Sequence, residues 1–176
     1  LKKYKSKTAL IDDNLNKVDY NDLFQIKNRF KKLFPSGSIA LILVDNSIDS
    51  ISTYIGFLDL KLVKVIVDNN ISIKFFKNLK KKYNPNFIIC LQSKMKFFNI
   101  KGFKILNRNF CYKKLSKKSL RINTINSLLL TTSGSTSSPK FVRLSKLNLI
   151  DNCGKIKKYF GLTHNSKSIT SLQPAY

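Results

Sequence analysis

The sequence predicts an α/β fold, a mostly parallel β-sheet with helices on its faces, and three observations carry that expectation. Strand-length apolar runs alternate with amphipathic helix-length stretches through the first ninety or so residues. One run, residues 38–44, is almost continuously apolar, as strands covered on both faces are. With 176 residues, 20.2 kDa and 43% hydrophobic content, the chain has enough apolar material for one domain with a real core.

Taken in order, residues 8–11 and Val18 flank Asp12, Asp13 and Asn14, residue types that favour turns, so a hairpin is expected there. Asp19 is an N-cap candidate for a helix that sets Leu23, Ile26, Phe30, Leu33 and Phe34 on one face. Pro35, Ser36 and Gly37 end it before the strand at 38–44. Ser47 is placed to cap a second helix over 48–60, and residues 63–67 form the next strand. Ser72 opens a third helix carrying Ile73, Phe76 and Leu79, with Lys80, Lys81 and Lys82 in its last turn, where cations complement the helix dipole. Residues 87–91 return to strand. Residues 92–125 mix lysines and aromatics with little period; apart from a short strand at 103–106 they read as surface connection. Further on, Ser145 caps a helix containing Leu149, Ile150, Cys153, Ile156, Tyr159 and Phe160, Gly161 suits its C′ position, and residues 168–172 begin a last strand.

The most informative stretch lies between. Leu128, Leu129 and Leu130 lead straight into Thr132, Ser133, Gly134, Ser135, Thr136, Ser137, Ser138, Pro139 and Lys140, after which 141–144 is again strand-like. Backbone N–H groups of a tight turn, a row of hydroxyls and one ammonium group can converge on phosphate oxygens without a base or nucleophile. Each donor to an ionised oxygen is worth roughly 1.5 to 3 kcal/mol net, so a few of them hold a polyphosphate. A solvated Ser/Thr linker is the plain alternative, but a linker is not gripped between two strands. A Walker A loop shares the glycine-to-lysine spacing, yet it needs glycine before the lysine and Ser/Thr after it, where this chain has Pro139 and Phe141.

These residues resemble the phosphate-binding signature of the AMP-dependent synthetase and ligase family, the adenylate-forming enzymes, which reads Thr-Ser-Gly-Ser/Thr-Thr-Gly-any-Pro-Lys-Gly. Ser137 replaces the second glycine and Phe141 the last. The N-terminal half is similar in register: Tyr20, Asn21, Asp22 and Leu23 resemble the family's aromatic-polar-Glu-Leu helix start, and residues 65–68 its Val-Pro-Leu-Asp strand, with Ile66 for the proline and Lys61 for a common glycine. The resemblance implies the N-terminal part of the family's large domain. Residues 1–176 are thus expected to be a partial AMP-binding domain, ending before the remaining catalytic segments and the C-terminal domain.

It also implies a chemistry. A carboxylic acid attacks the α-phosphate of ATP, accompanied by Mg2+, to give an acyl adenylate and pyrophosphate, and the acyl group then passes to an amine or to a thiol of CoA or a carrier protein. In that reading residues 132–140 bind the β and γ phosphates, Lys140 is the catalytic cation, and no residue of this chain is a metal ligand. The helix after Ser145 packs behind the loop and holds it. Gln173 and Tyr176 take the proline and histidine places of the family's Pro-any-any-His segment, which makes Tyr176 the acyl-pocket residue.

Composition bears on the alternatives. The formal charge is +24 and the pI about 10.1, but 29 lysines stand against only 4 arginines, beside abundant Asn and Ile. Specific nucleic-acid readers lean on arginine forks, so a solvated lysine surface is the expectation, with a nonspecific polyanion-binding module as the rival function and an inactive truncated product as the third. Cys90, Cys111 and Cys153 form no CxxC pair, and Cys90 reads as a buried apolar residue. His164, the only histidine, sits in a polar turn. No secretory signal or membrane-length apolar run is present, which points to a cytoplasmic setting.

Overall fold

The computed structural model describes residues 4–115, 127–131, 140–172 and 174–175. A small antiparallel pair, β1 (Thr8–Ile11) and β2 (Lys17–Asp19), precedes α1 (Tyr20–Leu33). Then follow β3 (Ile39–Val44), α2 (Ile48–Leu58), β4 (Val63–Asp68), α3 (Ile73–Tyr83), β5 (Phe87–Leu91), α4 (Gln92–Phe97), β6 (Lys104–Asn107), β7 (Phe110–Lys114), β8 (Ser127–Thr131), β9 (Phe141–Ser145) and α5 (Lys146–Tyr159). The main sheet has seven strands in the order β6-β7-β5-β3-β4-β8-β9. Its centre, β5-β3-β4-β8, is parallel; β7, β6 and β9 add antiparallel edges.

Helices α1, α2, α3 and α5 begin where hydroxyl or carboxylate caps stand, whereas α4 follows Leu91 without a side-chain cap. Asp19 accepts from the Asp22 amide at 2.7 Å while its own amide donates to the Asp22 carboxylate at 3.1 Å, a reciprocal capping box. Ser47 caps α2 and Ser72 caps α3 through the amides three residues on. All six residues of β3 are buried, as its unbroken apolar sequence requires. Alternate residues feed two layers. Ala40, Ile42, Val44, Ile66 and Ile89 join Phe30, Phe34 and Phe57 of the α1–α2 side; Leu41, Leu43, Val65, Val67 and Ile88 join Phe76, Leu79 and Met95 of the α3–α4 side. Burying each such side chain is worth about 1.5 to 3 kcal/mol.

Two expectations need correction here. Residues 92–115 are not surface connection. Met95, Leu106, Phe110 and Cys111 are fully buried, and β7 pairs with β5 so that Cys111 lies opposite Cys90 across the ladder. The turn after β6 is tied down by polar contacts that no apolar period reports: Asn109 Nδ2 donates to Asp49 Oδ2 at 3.0 Å, Arg108 Nη2 to the Lys17 carbonyl at 3.2 Å, and Arg29 Nη2 to the Ile105 carbonyl at 3.3 Å. Residues 168–172 form no strand; they run as exposed chain, with Ile169 98% exposed. Their apolar alternation has no partner strand among the described residues.

α5 starts as expected, with Ser145 and Asn148 in a capping box and Gly161 at φ +60° just beyond its C-cap. Residues 132–139, behind which it was expected to pack, lie outside the described residues. None of its residues is fully buried, Leu147, Ile150 and Tyr159 are exposed, and Leu149 alone of its apolar residues packs against the main core. Its first residue is anchored instead by charge: Lys146 pairs with Asp59 at 2.9 Å, and Lys27 of α1 meets the same carboxylate. Hydrogen bonds from Lys27 and Lys146 hold the Asp59 carboxyl down at about 2.

Candidate functional site at the carboxyl edge of the sheet

In open α/β sheets ligands bind beyond the carboxyl ends of the parallel strands, where helix starts and loops gather. Here β3, β4 and β8 end side by side, at Val44, Asp68 and Thr131. The chain leaves the sheet at Thr131 and re-enters at Phe141, which pairs with Thr131 in the antiparallel β8–β9 ladder. The hydroxyl-rich segment is therefore a hairpin connection rooted at this edge, and Lys140 stands at its returning foot, exposed. Thr132, Ser133, Gly134, Ser135, Thr136, Ser137, Ser138 and Pro139 lie outside the described residues, as does Tyr176.

Phe141, which departs from the glycine of the signature, has a local partner. Its ring meets Tyr83 of α3 edge-on at 5.3 Å, so the foot of the hairpin is pinned to a helix on the α3 side of the sheet.

The strand ends carry a polar shelf that the sequence reading did not single out. Asp45 Oδ1 accepts from the Ser47 amide at 3.0 Å and from the Ser47 hydroxyl at 2.5 Å, while the Asp45 amide donates to Ser50 Oγ at 2.9 Å. Asn69, just past β4 and only 4% exposed, donates its amide to the Val44 carbonyl at 2.8 Å and reaches Asp45 Oδ2 at 3.5 Å through Nδ2. Its Oδ1 meets no donor, an acceptor left open in a buried position. Asn46 Nδ2 donates to the Thr170 carbonyl at 2.9 Å, and Thr131 Oγ1 comes within 3.5 Å of the Ala175 carbonyl. A short Asp-Asn-Ser run after an apolar strand was the available signal for this shelf, although it says nothing of the distant carbonyls.

The strongly shifted titratable groups lie elsewhere and read as structural. Lys64, 2% exposed at the amino end of β4, donates to the Leu60 carbonyl at 2.8 Å. Burial pushes its ammonium group down to about 8, with Asp59 opposing and Lys146 adding to the fall. Cys90 is pushed up to about 12 by burial and by the neighbouring Cys111, which makes it inert packing. His164 sits in an exposed turn. Among the described residues no group of three or more His, Cys, Asp or Glu side chains could hold a metal ion, and no helix is long and apolar enough to cross a membrane.

No protein-family model matches the sequence, and no curated protein matches it. Solved structures do. ATP-bound MatB from Rhodopseudomonas palustris superposes with a TM-score of 0.67 at 15% identity, over 93% of this chain and 36% of that one. The o-succinylbenzoate coenzyme A synthetase MenE from Bacillus subtilis, in complex with AMP, gives 0.62 at 16% identity, over 91% of this chain and 44% of that one. The four-domain nonribosomal peptide synthetase AB3403, bound to AMP and glycine, gives 0.63 at 17% identity over 89% of this chain. The fold is thus the one the resemblance implied, that of the adenylate-forming enzymes' large domain, and this chain spans well under half the length of those proteins.

Proposed function

We propose that this chain supplies the phosphate-gripping part of an AMP-forming carboxylic acid ligase, as a portion of that enzyme's large domain. The observation that carries the reading is the β8–β9 hairpin: a Thr-Ser-Gly-Ser-Thr sequence closing on Pro-Lys leaves and rejoins the sheet at the carboxyl ends of its parallel strands. The three similar structures, solved with ATP or AMP bound, support the same assignment.

In this reading the hydroxyls and amides of residues 132–138 receive the β and γ phosphates of ATP, and Lys140 offsets the charge that grows on the departing pyrophosphate. The attacking group is the substrate's own carboxylate, so the protein's work is positioning and charge stabilisation rather than proton abstraction. The carboxylate oxygen bonds to the α-phosphorus as the bond to the β-phosphate oxygen breaks. The resulting acyl adenylate passes its acyl group to an amine, or to the thiol of CoA or a carrier protein, and releases AMP. The described residues offer no carboxylate cluster for Mg2+, so the ion is assigned to the nucleotide's phosphates and no step is routed through it. Three unpaired cysteines, two of them buried, suit the reducing cytoplasm to which we assign the enzyme.

The test is pyrophosphate exchange. The enzyme that carries this chain, given ATP and a panel of fatty, dicarboxylic, aryl and amino acids, is expected to exchange labelled pyrophosphate into ATP with at least one of them. Lys140→Ala should lower that exchange about 100-fold, the order seen when one donor to a developing anion is removed. Exchange that is absent with every acid, or unchanged in the variant, contradicts the assignment.

A further inference from the structure

A cleft of about 350 Å³ opens between one stripe of α1 and the turn that joins β6 to β7. Val18, Ile26 and Leu106 give it an apolar floor, of which Val18 and Leu106 are buried. The chain has 29 lysines and only 4 arginines, yet two of the four, Arg29 and Arg108, stand in the wall of this one cleft. Each is oriented by a backbone carbonyl from a distant part of the sequence. Arg29 Nη2 donates to Ile105 at 3.3 Å, and Arg108 Nη2 donates to Lys17 at 3.2 Å. A guanidinium has five N–H donors in a rigid fork, so both groups are held and still have donors to give. Arg108 also sits at φ +46°, a left-handed position that glycine or asparagine takes more readily, and an outlier of this kind asks for a reason. Beside it in the wall, Asn107 Nδ2 is buried and meets no acceptor.

The local charges decide what fits. Asp49 lies behind Arg108, its Oδ1 3.6 Å from Nε, and offsets it. Asp22 stands in the first turn of α1 and accepts from the Asp19 amide, so the helix start offsets its charge. That leaves Arg29, whose charge enters no ion pair among the described residues. We propose that this cleft is a binding site for a small monocarboxylate with an apolar body. The Arg29 fork, with Arg108 beside it, takes the carboxylate edge-on, and an aliphatic or aryl body rests on Val18, Ile26 and Leu106. A phosphate dianion fits less well, because the Asp22 and Asp49 carboxylates flank the fork and repel a second negative charge. The site stands apart from the phosphate hairpin and does not depend on that reading. Phe110 pairs with Leu91, which puts the β6–β7 turn at the carboxyl edge, but β7 and β8 are four strand spacings apart, about 19 Å. An acid held here is therefore not one that reacts with a nucleotide seated at the hairpin.

The test is an amide-shift titration of the isotope-labelled 176-residue chain with benzoate at moderate salt, beside benzamide, which has the same shape without the charge, and inorganic phosphate. Benzoate should shift the amides of Ile26, Arg29, Asn107 and Arg108 and saturate in the millimolar range, as befits so small a ligand. Benzamide should leave those amides in place, and phosphate should bind them more weakly than benzoate. Arg29→Gln should weaken benzoate about tenfold or more, the worth of a hydrogen bond to a charged group, and Arg29→Lys, which keeps the charge without the fork, should restore only part of the loss. Because Arg29 also fastens Ile105, a second variant works in the opposite direction. Asp22→Asn keeps an acceptor for the Asp19 amide and removes the repelling charge, so it should tighten both anions, a gain that misfolding does not produce. Benzoate shifts that never saturate, that spread over the lysine-rich surface as those of phosphate do, or that keep their affinity in both Arg29→Gln and Asp22→Asn overturn the proposal. No nucleotide enters the experiment, so its outcome is separate from that of pyrophosphate exchange.

Discussion

Lys64 is the residue whose behaviour follows most directly from its surroundings. It is a charge placed on a core strand, with the Leu60 carbonyl as a partner that also accepts from the Leu62 amide at 2.8 Å. Its ammonium group titrates at about 8 in the folded chain against 10.5 for the ordinary side chain. Below the lower value both states hold the proton and the burial penalty is fully present. Between the two, the unfolded chain binds more protons than the folded one, so stability rises with pH. Lys64→Met removes the charge, leaves the Leu60 carbonyl with the Leu62 amide and gives up a long 3.5 Å contact to the Leu58 carbonyl, and is expected to raise the Tm at pH 7. That advantage should shrink as the pH approaches 10.5, as read by thermal unfolding of both proteins; an advantage that does not change with pH would contradict the account. The same residue shows why a strand pattern can mislead: a lysine inside Val-Lys-Val-Ile-Val looks like an outward position, and only the α2 carboxyl end placed beside it explains its burial.

At the level of elements, α1 and α2 pack so closely that one glycine sets their separation. A methyl group at Gly56 would come within 2.7 Å of Ile26 Cγ2 and 2.8 Å of the Phe30 ring, and Phe30 is fully buried against Phe34 and Phe57. Gly56→Ala gains about 1 kcal/mol in helix propensity but forces the pair apart. Overpacking costs about 1 to 3 kcal/mol, so the net expectation is a lower denaturation midpoint at unchanged m-value in urea, and a rise in that midpoint would refute the close contact.

These helices and the strands they cover were legible in the sequence because each carries two agreeing signals, an apolar period and a cap. The short strand expected at 103–106 is β6, but α4 and β7 were not legible, since they are short and hold Lys94, Lys96, Lys113 and Lys114 beside buried Met95, Phe110 and Cys111. Residues 168–172 erred the other way, with a strand-like pattern and no partner strand among the described residues. The chemistry proposed for the hairpin rests on side-chain types alone, since residues 132–139 lie outside the described ones. The hydrogen bond from Asn46 to Thr170 could not be foreseen, because its acceptor is a backbone carbonyl 124 residues away.

Over the whole molecule the dominant property is charge. At +24 the chain attracts any polyanion, and its lysines fall in short runs scattered along the sequence. Such attraction is screened by salt and carries no geometry. The binding proposed for the hairpin would differ on both counts, since it would use local amides and hydroxyls that convergence, not net charge, makes effective. The most direct test of the central claim is a pyrophosphate titration of the isotope-labelled 176-residue chain at low and at moderate salt, followed by amide shifts. The account predicts that residues 131–140 shift and saturate at both salt concentrations, and that Lys140→Ala removes those shifts. Shifts scattered over the lysine-rich surface, fading together as salt rises and indifferent to Lys140→Ala, would contradict it.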